Sequence, residues 1–220
     1  MKMKIRLYSL LILAWMAQTT PQIANAQSTI YLSHLGSFAD TIGAGIGSDS
    51  WWAASFETGP AAGGYSLDTI QLRTTGATGN PSGFELFLYN DNGGDPGNSL
   101  ESLIGSTPTS AGVYSFAASG ITLSASTVYW AVATSPDLSS SGNTIYWALD
   151  PGSGTSSDGW SLNTSYMASS SEGGPGAYWA NVSPGGLTLA ISASPVPEPQ
   201  IYALVGLGLF MFSVRRKNRI

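Results

Sequence analysis

With 220 residues, no cysteine, a single histidine and eight Lys or Arg against thirteen Asp or Glu, the chain can build neither disulfides nor a zinc site of the Cys/His type. Its formal net charge is −5, and seven of the eight cations lie at the two ends (Lys2, Lys4, Arg6, Arg215, Arg216, Lys217 and Arg219), leaving only Arg73 between them. The acidic middle lacks the cations that neutralise phosphates, which argues against nucleic acid as a partner and gives no footing on anionic lipid.

In chain order, Lys2, Lys4 and Arg6 precede an apolar stretch from Leu7 to Ala17, and Ala24-Asn25-Ala26 follows. Cations, a short apolar core and a small-x-small site predict a secretory signal peptide over residues 1–26, with the mature chain starting at Gln27. Residues 27–194 then have the length of one domain that can bury a large share of its surface without disulfides. Six tryptophans from Trp51 to Trp179 supply bulky apolar area for it.

No segment of this domain sustains a helical period, while alternation of period two recurs between turn signals. The first strand is predicted over Trp51 to Phe56. Ile70 and Leu72 alternate with Thr69, Gln71 and Arg73; Phe84, Leu86 and Leu88 with Glu85, Phe87 and Tyr89. Val128, Trp130 and Val132 alternate with Tyr129 and Ala131; Ile145, Trp147 and Leu149 with Tyr146 and Ala148. Shorter strands are expected at Val113 to Phe116, Ile121 to Leu123 and Tyr178 to Val182, and a last one carries Leu187, Leu189 and Ile191. Gly-, Asn- and Asp-rich connections at Asn90 to Asn98, Asp150 to Asp158 and Ser169 to Gly176 read as turns. The pattern predicts an all-β, antiparallel β-sandwich of jelly-roll type over residues 27–194, flanked by the signal peptide and a short hydrophobic C-terminal helix.

That helix is predicted over the apolar run from Ile201 to Val214, which follows Pro195-Val196-Pro197-Glu198-Pro199. The prolines keep the residues before the run extended. Fourteen apolar residues make a marginal span against the roughly 20 that cross a bilayer, and Arg215, Arg216 and Lys217 form a cationic stop that stays on the cytoplasmic side. The order of the three parts, motif Val196-Pro197-Glu198-Pro199, apolar run and basic end, resembles the PEP-CTERM sorting signal over residues 195–220. The resemblance implies an exosortase-type processing enzyme as partner, transient insertion in the inner membrane, and delivery to the cell surface or extracellular matrix. An unprocessed chain would stay in the inner membrane.

Within the domain, Phe84 to Gly97, with its Asp91-Asn92-Gly93-Gly94-Asp95-Pro96-Gly97 turn, and Leu123 to Val132, with Thr127-Val128-Tyr129-Trp130, resemble the choice-of-anchor R domain. That likeness implies architecture and surface display, and brings no catalytic residues.

Candidate chemistry is sparse. His34 is the only histidine, and no Gly-x-Ser-x-Gly turn is present to pair with it, so no catalytic residue is assigned. Two carboxylates could in principle hydrolyse glycosides, yet nothing singles out a pair. Arg73 and Glu85 are candidates for a cross-strand pair. Asp91, Asn92 and Asp95 have the oxygen spacing of a calcium loop but lack the terminal bidentate Glu, and the same residues suit a tight turn with positive φ; no other cofactor or metal is expected. Trp51-Trp52, Tyr129-Trp130, Tyr146-Trp147 and Tyr178-Trp179 place adjacent rings on opposite faces of a strand. Trp52, Tyr129, Tyr146 and Trp179 are then candidates for stacking on sugars, against two-sided burial. The leading expectation is a non-enzymatic exported surface or matrix protein associated with exopolysaccharide or biofilm. A carbohydrate-binding module is the alternative, and a secreted carboxylate-dependent hydrolase stands third.

Overall fold

The computed structural model describes residues 27–36, 43–48, 50–79, 81–135, 144–150, 152, 154–168, 178–181 and 186–197. The predicted signal peptide, with Ala24 and Ala26, and the tail from Glu198 onward, with the helix at 201–214 and its basic end, lie outside these residues. All regular structure among the described residues is β-strand. In chain order the strands are β1 (Thr29–Ser33), β2 (Gly43–Ile46), β3 (Trp51–Glu57), β4 (Tyr65–Thr78), β5 (Glu85–Asp91), β6 (Pro96–Gly105), β7 (Gly112–Ala117) and β8 (Thr122–Leu123). They continue as β9 (Val128–Thr134), β10 (Thr144–Asp150), β11 (Thr155–Ser156), β12 (Ser161–Ala168), β13 (Ala180–Asn181), β14 (Gly186–Leu187) and β15 (Leu189–Pro195).

The strands form one antiparallel path, β11-β1-β15-β4-β7-β6-β5-β9-β3-β12-β13, with β10 branching from β4 to pair β2 and β14. Two separate sheets were the expectation; instead β6 pairs with both β5 and β7 and carries the path round the corner. The far ends also meet: Trp160, just before β12, stacks on Tyr31 of β1 at 5.1 Å and on Phe56 of β3 at 6.1 Å. The result is a nearly closed, barrel-like sheet. Alternation along a strand specifies its faces but not its neighbours, so the sandwich reading was right about strand type and coarse about closure.

β4 is the hub, pairing with β15, β7, β8 and β10 along its 14 residues. Its buried Tyr65 and Leu67 and its buried Ile70 and Leu72 are out of phase by one residue, because the register opposite Ser192 and Ala193 skips Asp68. Such a bulge re-aims a strand. Here its carbonyl accepts from Ala118 N–H at 2.9 Å and its carboxylate from the Ser194 hydroxyl at 2.8 Å. With no ladder between β4 and β5, the expected pairing of Arg73 with Glu85 across neighbouring strands is not formed; Arg73 lies opposite Val113 of β7.

The main core fills the inside of this sheet with Phe56, Leu67, Ile70, Leu86, Trp147 and Ile191 among its buried members. A second cluster of Ala53, Tyr89, Trp130, Val132 and Trp179 covers the opposite face of β5, β9 and β3. β9 is buried on both faces, which is why its sequence reads as an almost continuous apolar run. Its assignment is reversed from the expectation: Tyr129, Ala131 and Ala133 face the main core, and Trp130 and Val132 the second cluster.

Two stability measurements test this packing. Trp147 is fully buried and its Nε1–H donates to Thr188 O at 2.7 Å, so Trp147→Ala should cost about 3–5 kcal/mol in urea denaturation of the chain from Gln27 onward. Burial of the Tyr31 phenol, with Tyr65 and Asp158 nearby, raises its ionisation above the ordinary 10.0. The folded state holds this proton where the unfolded chain has released it. The associated stability is fully present below the unfolded value and is lost as pH rises through the folded one. Tyr31→Phe should therefore remove part of the alkaline fall in melting temperature, followed from about pH 8 to 11.

Candidate functional site

The C-terminal strand delivers the sorting segment. β15 lies between β1 and β4, with Ala193 opposite Thr29 on one side and Leu67 on the other. Pro195 pairs with Tyr65, and Val196 N–H donates to Gly64 O at 3.0 Å. Pro197 has no N–H and is exposed, so it adds no donor to the ladder. Gly64 has a φ of +73°, and a Cβ on it would meet Leu123 O at 2.3 Å; only glycine fits this rung. Of the motif, Val196 and Pro197 are therefore seated at the edge of the fold, while Glu198 and Pro199 lie outside the described residues.

The acidic loop is a tight turn between β5 and β6. Gly93 and Gly94 have φ of 70° and 98°, as the Asn/Asp/Gly composition requires. Asn92 N–H donates to Asp95 O at 2.8 Å. One oxygen of Asp91 accepts from Gly94 N–H at 3.1 Å and the other from Trp130 Nε1–H at 2.9 Å. That carboxylate fastens the turn to the second aromatic cluster. Among the described residues no group of three or more His, Cys, Asp or Glu is placed to hold a metal ion.

The rings nominated for sugar stacking are mostly inside. Trp52 and Tyr129 belong to the main core and Trp179 to the second cluster, each at least 93% buried by exposures of 7%, 6% and 7%. Tyr146 is half-buried. In the fourth pair the exposed ring is Tyr178, not Trp179. Adjacent rings do point to opposite faces, but both faces of β3 and β9 are covered, so the stacking assignment of Trp52, Tyr129 and Trp179 is corrected to packing.

The residues with catalytic potential converge where sequence did not place them, and they are spent on backbone. His34 is 3% exposed; its Nε2 lies 2.8 Å from Gly152 O, so this nitrogen carries the proton and donates. Arg73 Nη1 donates to Leu35 O and Gly36 O, each at 3.0 Å. Buried Asp150 accepts from Gly152 N–H at 2.7 Å. The three side chains pin the segment after β1 against the end of β10. Beside them a cavity of about 320 Å³ opens along the seam between β11-β1 and β12, lined by Leu32, His34, Thr155, Ser161, Leu162 and Gly186 among others. Two of its hydroxyls are already engaged: Thr155 donates to Ser33 O at 3.4 Å and Ser161 to Asn163 Oδ1 at 3.1 Å. No nucleophile stands within hydrogen-bond reach of His34 in these contacts. Only the long-range pairing of β1, β10 and β4 could have revealed this cluster.

The Asp91 turn makes a direct prediction. Asp91→Ala removes the acceptor of two N–H groups and should cost about 1.5–3 kcal/mol, read from Trp fluorescence during denaturation. Millimolar calcium should leave the wild-type melting temperature unchanged, because both oxygens are already committed to protein donors. A calcium-dependent rise would instead make the turn a cation site.

No curated protein and no solved structure matches the chain. Residues 195–217, which begin at the last residue of β15, match the family model of the PEP-CTERM protein-sorting motif.

Proposed function

We propose that the chain is an exported, non-enzymatic protein whose β-domain is carried to the cell surface or extracellular matrix by an exosortase-type enzyme acting on its C-terminal tail. The observation that carries this reading is the sorting motif at residues 195–217, joined to the last strand without an intervening linker. The physics of the tail supports it: an extended proline segment with one carboxylate, a marginal apolar span and a cationic stop stand in that order. The domain's acidic character suits secretion into an aqueous matrix, and exopolysaccharide is the partner we assign to it there. The likeness of the β5–β6 turn and of β9 to the choice-of-anchor R domain belongs to the same reading.

The fold also gives the displayed domain an orientation. β1 begins and β15 ends at one end of the barrel, since Thr29 pairs with Ala193. While the tail is inserted, that end faces the membrane, and the opposite end, where β1 and β12 finish, points away from it.

Glu198→Ala removes the only charge of the motif. The full chain carrying it, epitope-tagged and expressed with the exosortase, should accumulate unprocessed in the inner membrane. Deleting Arg215 to Arg219 should act differently, by removing the cationic stop and letting the span slip through. If the Glu198 variant is processed and released like wild type, the motif is a stalk and the apolar run a permanent anchor.

A further inference from the structure

We propose that the folded domain controls access to the sorting motif by competing with the processing enzyme for the residues immediately upstream of it; the inference rests on the sorting reading above. β15 is held on both edges. Leu189 to Pro195 pair with β4, and Ala190 to Ala193 also pair with β1. Leu189, Ile191 and Ala193 are fully buried. The ladder continues one step further through Val196 N–H and Gly64 O, and the Ser194 hydroxyl is tied to Asp68. Among the described residues the last backbone rung is therefore at Val196, one residue before Pro197.

An enzyme that grips an extended segment does so through the same backbone N–H and C=O groups that a sheet uses. Upstream of Pro197 those groups already belong to the barrel. Downstream, the five residues from Pro197 to Ile201 reach at most about 17 Å when fully extended, so the barrel end and the start of the apolar run stay close together. Nothing in this span lets the enzyme engage several upstream residues without loosening the end of β15. Access to the motif, not the bond cleavage that follows, is what the fold controls.

The order of export adds a time dependence. A chain that crosses the membrane N-terminus first presents β1 and β4 well before β15, and these two strands have no edge to share until β15 fills the place between them. The sheet closes only once residue 195 is across, when the tail is next in line. The motif is open before β15 docks and restricted afterwards.

The test is a pulse-chase of the full, epitope-tagged chain in cells that make the exosortase. Six Gly/Ser residues are inserted between Pro195 and Val196, which leaves the motif, the apolar run and the distance between them intact. The inserted chain supplies a new N–H for Gly64 O and moves the motif clear of the sheet. Processing should become about fivefold faster, the population effect of no longer having to open one net backbone hydrogen bond. Glu198→Ala placed in the spacer chain should abolish it. An unchanged or slower rate with the spacer overturns the proposed competition while leaving the sorting reading in place. A wild-type chain that stays unprocessed in the presence of the enzyme overturns the sorting reading, and the competition with it.

Discussion

The fold depends on one insertion: the C-terminal strand sits between the N-terminal strand and the hub strand β4. Backbone hydrogen bonds on both edges of β15 join the two ends of the chain, and its inward residues complete the core beside Leu32, Ile70 and Leu72. Without it, β1 and its short neighbour β11 have no partner in the rest of the sheet. This is a long-range closure, made between residues more than 150 positions apart, and such contacts form late because the loop entropy is lost before they contribute. A domain without disulfides thus has its ends secured by a ladder.

The end of the barrel where both termini emerge is also its most aromatic region. Tyr31, Tyr65 and Trp160 form a triad with centroids 5.2, 5.1 and 4.9 Å apart, extended by Phe56 to Tyr129. Edge-to-face and offset packing of this kind adds about 0.5–1.5 kcal/mol per pair beyond area burial. Gly59 allows the approach, since a Cβ there would lie 2.5 Å from the Tyr65 hydroxyl and 3.0 Å from Trp160 Cδ1. The described start of the tail therefore leaves the fold beside a closely packed aromatic cluster.

The polar residues serve the same architecture. His34, Arg73 and Asp150 are each committed to backbone that holds a connection in place. Asp91 does the same for the β5–β6 turn and Trp130. In such a chain the sorting signal is in the linear tail, and the domain is a body whose connections are tied down by these contacts.

Several parts of this were legible without coordinates. The strands around Ile70, Leu86, Val128, Trp147 and Ile191 follow from period-two alternation, and the turn at Asp91 to Asp95 from residues that tolerate positive φ, because both signals are local. The sorting segment was legible for a related reason: it is recognised by the order of its parts. β6 was not, since Pro96 to Gly105 is polar, glycine-containing and exposed on much of its length; it is a strand because β5 and β7 lie on either side. Nor was the choice between the rings of Trp51-Trp52, Tyr129-Trp130 and Tyr178-Trp179, because sequence says that neighbours point opposite ways and cannot say whether each face is covered. The chain by itself determined its strand type, its charge and its C-terminal signal. Only the tertiary structure decided which strands are neighbours, which rings are buried and that β15 closes the sheet, because these depend on contacts between residues far apart in the chain.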